Sequence, residues 1–301
     1  MKILRIPEHR FMDLTEFRYE SRYVDIRDAD GTPLRVHYVD EGPRHGPVVL
    51  MLHGEPTWSF LYRKVIDVVA RAGMRAIAPD LVGFGRSDNF VKRAEYTYAR
   101  HVSWVDAFVT ALALWDITLV CQDWGGLIGL RMVAEHPERF ARVLASNTSL
   151  PTGDRPMPPA FTEWQRASQE DEHFAAGEIV ARYATRPVSA AVRHAYNAPF
   201  PDETSKVAAR AFPLLVPTTP NDPASEANRR AWEHLSQFKK PFLTVFGDRD
   251  PFTFGAERVL QKKIPGAKDQ AHRVLSGVGH FIQEDAGDEL GRITVGFVRG
   301  E

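Results

Sequence analysis

Apolar and polar positions along this chain fall into short blocks that switch between strand-like alternation or continuous apolar runs and helical spacing, which predicts strands interleaved with helices. Residues 23–26 and 34–38 alternate apolar and polar side chains around Asp28-Ala29-Asp30-Gly31, so they predict an antiparallel hairpin at one edge of a sheet. Residues 48–52 form a continuous apolar run, as expected of a strand buried on both faces, and end at His53-Gly54-Glu55-Pro56-Thr57-Trp58. A helix is expected over 60–72, a strand over 76–78 and an amphipathic helix over 100–114. A β-branched run, 117–121, then turns at Gln122-Asp123-Trp124-Gly125-Gly126 into helical spacing that stops before Pro137. Residues 143–146 read as the next strand. Strands at 241–247 and 272–275 and helices at 255–263 and 281–298 complete the pattern, the last helix weakened by Gly287, Gly291 and Gly296.

Such alternation predicts an α/β fold, a mostly parallel sheet with helices on both faces. One stretch departs from it. Residues 151–225 hold 11 of the 21 prolines, lack long apolar strand runs and offer short helical patterns such as 160–168. They read as an inserted helical lid over the carboxyl ends of the strands, where open α/β sheets bind ligands. The expected organisation is core 1–149, helical cap 150–228 and core 229–301.

Composition narrows the function. With 38 basic and 39 acidic residues spread along 301 positions, the formal net charge of −1 offers no handle for nucleic acid or an anionic membrane. A small-molecule substrate is expected. The start of the chain is interrupted too early by charge and proline for a signal peptide, and no apolar run is long enough to span a bilayer, so a cytoplasmic monomer is the expectation. The single cysteine, Cys121, lies in the apolar run before Asp123 and reads as a core residue. No closely spaced His, Cys and carboxylate set suggests a metal, and no cofactor is implied. The loop Gly83-Phe84-Gly85-Arg86-Ser87-Asp88 lacks the lysine of a phosphate-binding loop and is read as packing.

The candidate chemistry sits at strand ends. Asp123 stands at the apex of a sharp strand-to-helix turn whose neighbours, Gly125 and Gly126, carry no side chain. A carboxylate there either caps the helix or acts as a nucleophile that displaces a leaving group from saturated carbon. Two further strands deliver Gly247-Asp248-Arg249-Asp250-Pro251 and Ser276-Gly277-Val278-Gly279-His280-Phe281 to the same edge. In chain order these supply nucleophile, acid and histidine. An alkyl ester on Asp123 needs a general base to activate water, which His280 suits, and an acid to orient that base, for which both Asp248 and Asp250 are placed. The oxyanion formed during ester hydrolysis needs backbone donors, and the amides of Trp124 and Glu55 are the candidates; Pro56 has none to offer.

Four motifs in order, His53-Gly54-Glu55-Pro56-Thr57-Trp58, Gln122-Asp123-Trp124-Gly125-Gly126, Ala198-Pro199-Phe200-Pro201-Asp202 and Gly279-His280-Phe281-Ile282-Gln283-Glu284, resemble the haloalkane dehalogenases of the α/β-hydrolase superfamily. The likeness spans nearly the whole chain and is nearest to the subfamily with Glu in the His-Gly-Glu-Pro motif and a lid tryptophan. It implies the α/β-hydrolase fold, a small halogenated alkane and water as substrates, and Asp123 attacking the halogen-bearing carbon. It also selects Asp250 over Asp248, and it implies that the departing halide is held by the indoles of Trp124 and of Trp164 in the lid. Trp58, Trp104, Trp115 and Trp232 are read as packing. The chain departs from the general elbow pattern at Cys121, where glycine is usual. Two other readings compete: an epoxide hydrolase, which would use lid tyrosines such as Tyr183 and Tyr196 on the epoxide oxygen, and a non-catalytic receptor that keeps the fold without turnover.

Overall fold

The amino-terminal hairpin is formed by β1 (Arg22–Arg27) and β2 (Pro33–Glu41), paired antiparallel from Arg22 opposite Tyr38 to Arg27 opposite Pro33. In the computed structural model, which describes residues 2–301, this hairpin is one edge of an eight-stranded sheet. The other strands are β3 (Val48–Leu52), β4 (Arg75–Pro79), β5 (Ile117–Gln122), β6 (Phe140–Ser146), β7 (Phe242–Gly247) and β8 (Arg273–Leu275). Across the sheet the order is β8-β7-β6-β5-β3-β4-β2-β1, and every pairing from β8 to β4 is parallel. Only β2 runs against the rest.

The first helices are α1 (Arg63–Arg71), entered through a 3₁₀ turn at Ser59–Tyr62, then α2 (Tyr98–Ala111) and α3 (Trp124–Glu135). Thr97 caps α2 by accepting a hydrogen bond from the Arg100 amide, so the helix begins at Tyr98, two residues before the expected start. Between β6 and β7 the chain forms α4 (Pro159–Glu170), α5 (Ala176–Tyr183), α6 (Ala190–Asn197), α7 (Val207–Leu215) and α8 (Ser225–Leu235). The last helices are α9 (Ala256–Lys263) and α10 (Ile282–Arg299). They fall into packed groups, α1 with α10 and α3 with α2 and α8, and β5 and β7 are buried along their whole length. Both faces of the sheet centre are therefore covered, which is what continuous apolar runs require.

The glycines of α10 have a use that the helical pattern alone does not show. A Cβ at Gly287 would lie 2.8 Å from Cβ of Lys64, and one at Gly291 would lie 2.8 Å from Cβ of Val68. Glycine lets α10 approach α1 closely, and the packing offsets the propensity cost of roughly 1 kcal/mol per glycine. Among the described residues, no helix is long and apolar enough to cross a membrane.

Candidate active site

The carboxyl ends of β3, β5, β6, β7 and β8 converge beneath α4, α5 and α7. Asp123 follows β5 with φ 51° and ψ −127°, a conformation unusual for a residue with a side chain. It is held there from several directions: its amide donates to Asn147 O at 2.9 Å, and its carbonyl accepts from the amide of Gly126 at 2.9 Å and from Thr148 Oγ1 at 2.8 Å. The surroundings thus determine a strained backbone, as often happens at functional positions. The side chain makes no helix-capping bond, which removes the capping alternative. It points instead toward His53-Gly54-Glu55, where the Glu55 amide donates to Oδ1 at 2.8 Å. Gly54 is required at this approach, because a Cβ would lie 2.2 Å from the same Oδ1.

His280 lies on the other side of the carboxylate, its Nε2 3.6 Å from Asp123 Oδ2. Its Nδ1–H donates to Asp250 Oδ1 at 3.0 Å. Asp250, buried, also accepts from the amide of Phe252 at 2.9 Å and from the Thr253 hydroxyl. Asp248 is turned away and accepts from the amide of Gly277 at 2.7 Å, as a turn residue does. The structure therefore brings Asp123, His280 and Asp250 together and leaves Asp248 outside.

Burial works against charge on both partners, yet their mutual attraction prevails. Burial alone would lower His280; the charge of Asp250, with hydrogen bonds to Asp123 and Asp250, pushes it up to about 10. Asp250 is likewise held below its usual range, against the effect of burial, by His280 and by its hydroxyl and amide donors. Glu55 behaves oppositely. Burial and then the charge of Asp123 hold its carboxyl well above the usual carboxylate range, with His280 and a hydrogen bond from Trp164 only partly opposing them. Its Oε1 has no partner. A carboxyl that favours its neutral form thus lies beside Asp123.

Asp123, Glu55 and His280 line a cavity of about 650 Å³, counting the part open to solvent. Its walls are largely apolar, with Leu127 from α3, Phe161 from α4, Ile179 from α5 and Phe252 from the loop after β7. Both Trp124 and Trp164 line it. Three other indoles donate to protein carbonyl or carboxylate oxygens: Trp58 to Ala195 O at 3.2 Å, Trp104 to Asp28 Oδ1 at 2.8 Å and Trp232 to Leu150 O at 2.8 Å. Trp115 is exposed. Of the two lid tyrosines, Tyr183 lines the cavity, whereas Tyr196 is fully buried with its hydroxyl on Glu284. The pair of tyrosines that epoxide activation would need is not assembled.

Several contributors were not picked out from the sequence. Asn147, at the end of β6, donates through Nδ2 to Gly279 O at 2.7 Å and His280 O at 2.9 Å, and its Oδ1 accepts from the amide of Gly247 at 2.8 Å. It ties three strand ends to one another. Gln122 donates through Nε2 to His280 O at 3.2 Å, and Thr253 braces Asp250. Gln122 belongs to the elbow motif, while the signal of Asn147 and Thr253 is position alone, each a polar residue in a loop that follows a strand's carboxyl end.

A family model described as alpha/beta hydrolase fold matches residues 47–287. The chain is 54% identical to a haloalkane dehalogenase of Psychrobacter cryohalolentis over 298 residues, covering 99% of this chain and 98% of that protein. It is 50% identical to one of Mycolicibacterium paratuberculosis over 290 residues, covering 96% of each. Among solved structures, a tetrameric haloalkane dehalogenase from Paraglaciecola agarilytica superposes with a TM-score of 0.91 at 35% identity, over 97% of each chain. A half-buried carboxylate at a strained elbow, its histidine partner, an apolar cavity and this degree of identity lead to one conclusion: the chain belongs to the haloalkane dehalogenases, hydrolases of carbon–halogen bonds built on the α/β-hydrolase fold.

Proposed function

We propose that Asp123 is the nucleophile, His280 the general base, Asp250 its orienting acid, the amides of Glu55 and Trp124 the oxyanion donors, and the indoles of Trp124 and Trp164 the halide donors. The observation that carries this reading is the Asp123 carboxylate held by the Glu55 amide at 2.8 Å, with His280 Nε2 at 3.6 Å, inside an apolar cavity lined by two indoles. An Asp123 oxygen attacks the sp³ carbon as its bond to chloride or bromide breaks, giving an alkyl ester and a halide ion. Neutral indole N–H groups suit a soft anion without adding a competing nucleophile. The largely apolar walls limit the water available to stabilise the attacking carboxylate.

Alkylation then changes His280. It removes the charge of Asp123 and its hydrogen bond, two of the influences that raise the imidazole, so His280 moves toward its neutral, basic form when a base is needed. Water activated at Nε2 attacks Cγ of Asp123. The oxyanion so formed is held by two backbone donors, and removing one such donor typically costs about 10²–10³ in rate. Collapse releases alcohol and restores the carboxylate, which again favours the protonated His280; the one proton released per turnover is the one His280 lost on alkylation, and the halide leaves last. The substrates are a small haloalkane and water, residues 150–228 act as the cap, and we read the enzyme as cytoplasmic.

Halide release from 1,2-dibromoethane and 1-bromobutane, with diol formation from styrene oxide measured alongside, tests this assignment. Halide from the parent, absent with Asp123→Ala, supports it. Diol without halide overturns it.

Trp164→Phe is expected to raise the bromide inhibition constant by roughly 10–100-fold, because a hydrogen bond to a charged acceptor contributes about 1.5–3 kcal/mol. The half-buried ring keeps much of its packing, so the melting temperature should fall by only a few degrees. A large loss of stability with unchanged bromide affinity would make Trp164 a packing residue.

Glu55→Gln keeps the shape of the neutral acid. A raised folded-state pKa means that the native protein holds a proton that the unfolded chain releases above about 4.5, so the parent loses stability as pH rises from there toward the folded value. Glutamine has no such loss. The variant is expected to match the parent near pH 4 and to melt at higher temperature near pH 8, as followed by thermal unfolding across that range. Equal melting curves at both pH values would show that the side chain ionises freely.

A further inference from the structure

Asp285 lies in the first turn of α10, fully buried, and takes no part in the chemistry above. Its carboxylate is filled by backbone donors from two separate segments. Oδ1 accepts from the amides of Arg186 at 2.8 Å and Thr185 at 3.0 Å, and Oδ2 from those of Gly279 at 2.8 Å and Thr185 at 3.0 Å. Gly279 immediately precedes His280. Thr185 and Arg186 follow α5, whose Ile179 and Tyr183 line the cavity.

The two segments are joined directly as well. The His280 amide donates to Tyr183 O at 2.9 Å, and the Thr185 hydroxyl donates to Gly277 O at 2.5 Å. The approach is so close that a Cβ on Gly279 would lie 2.3 Å from Tyr183 O. Helix α10 gives way at the next residue, with Ala286 at φ −142° and ψ 34°, where the chain turns Asp285 into this junction. An acceptor-only group is what converging N–H donors require. An amide in its place would turn an NH₂ toward one of them and leave a buried donor unpaired.

We propose that Asp285 is a positioning residue for hydrolysis of the alkyl ester: it clamps the cap segment after α5 to the His280 loop and so sets the imidazole against Asp123. This inference rests on the reading of His280 as general base. The nucleophile is held by the elbow, Asn147, Thr148 and the Glu55 amide, none of which bonds to Asp285, although Asn147 and Gln122 also reach carbonyls of the His280 loop. Loosening the clamp therefore disturbs the base and leaves the nucleophile in place. An error of about 1 Å in catalytic geometry can cost roughly 10²-fold.

Rapid-quench measurement of bromide and alcohol from 1,2-dibromoethane separates the two steps. For Asp285→Asn, ester hydrolysis is expected to slow by roughly 10–100-fold while alkylation stays within about threefold of the parent. Alkyl-enzyme then accumulates, and kcat and KM fall together with kcat/KM preserved. A purely structural defect would lower the active fraction without changing the ratio of the two rates. Thr185→Val, which removes only the bond to Gly277 O, should shift the same ratio by a smaller factor, and it decides the matter should the Asn variant not fold. Equal slowing of both steps, or an unchanged ratio in whichever variants fold, overturns the clamp. His280→Phe run in parallel separates the two ideas: trapped ester in that variant with none in the clamp variants rejects the clamp alone, whereas no trapped ester in His280→Phe rejects the base assignment beneath it.

Discussion

His280→Phe is expected to convert the enzyme into one that reacts once and stops, with each active site carrying the alkyl group of its substrate as an ester on Asp123. Attack on the haloalkane needs the carboxylate and the Glu55 amide that orients it, and both survive the substitution. Hydrolysis needs a base. General-base assistance contributes about 10²–10⁴-fold, so the ester should persist long enough for intact-mass measurement. Bromide should appear in a single burst equal to the enzyme concentration. Phenylalanine keeps the ring packing against Phe252 and Phe281, whose centroids lie 4.9 and 5.0 Å from the imidazole. The cost falls on Asp250, which is left buried without its cation. Breaking a buried pair in this way typically destabilises by about 3–5 kcal/mol, less where the orphaned carboxyl can take up a proton. A lowered melting temperature is therefore part of the expected result. An unmodified mass after prolonged exposure, while the parent turns over, would remove the covalent intermediate from the mechanism.

Asp123→Ala removes the attacking atom, and halide release should fall to the level of the solution without enzyme for every haloalkane tried. The companion Asp123→Gly variant should be equally inactive yet more stable than the parent. The residue sits at φ 51°, which glycine adopts freely and other residues do not, so relief of this strain is worth about 1 kcal/mol or more. Both variants also remove the negative charge that helps hold Glu55 in its neutral form. Activity lost together with stability gained is the combination that distinguishes a strained nucleophile from a structural aspartate. Turnover persisting in either variant would end the assignment of Asp123 as nucleophile.

Much of this site is visible in short stretches of the chain because its backbone is built locally. The apolar run 117–121, the aspartate and the two following glycines demand a sharp strand-to-helix turn whatever the rest of the molecule does. Likewise Gly277-Val278-Gly279 announces a loop after the last strand, and His280 rides on it. The choice between Asp248 and Asp250 has no such local signal. Two aspartates two residues apart in a turn are equivalent until Gly277 takes one and His280 the other, and both partners lie on the far side of α9 in the sequence.

Tyrosines in the cap show the same division. Tyr183 and Tyr196 have similar surroundings in the sequence, yet one faces the cavity and the other is held by Glu284, 88 residues away. Asn147 and Asp285 carry no motif at all, since their work is largely to satisfy backbone groups of segments more than 90 residues distant, the Gly279 amide near Asp285 being the exception. The alternation of strands and helices, the helical stretch between β6 and β7, the elbow with its aspartate and the order aspartate, acid, histidine are legible in the chain alone, because each is signalled by conformational preferences within short stretches. Three-dimensional packing settled which acid meets the histidine, which tyrosine faces the cavity and which buried polar groups hold the loops together. Those outcomes depend on strand register and on where burial leaves polar groups in need of partners.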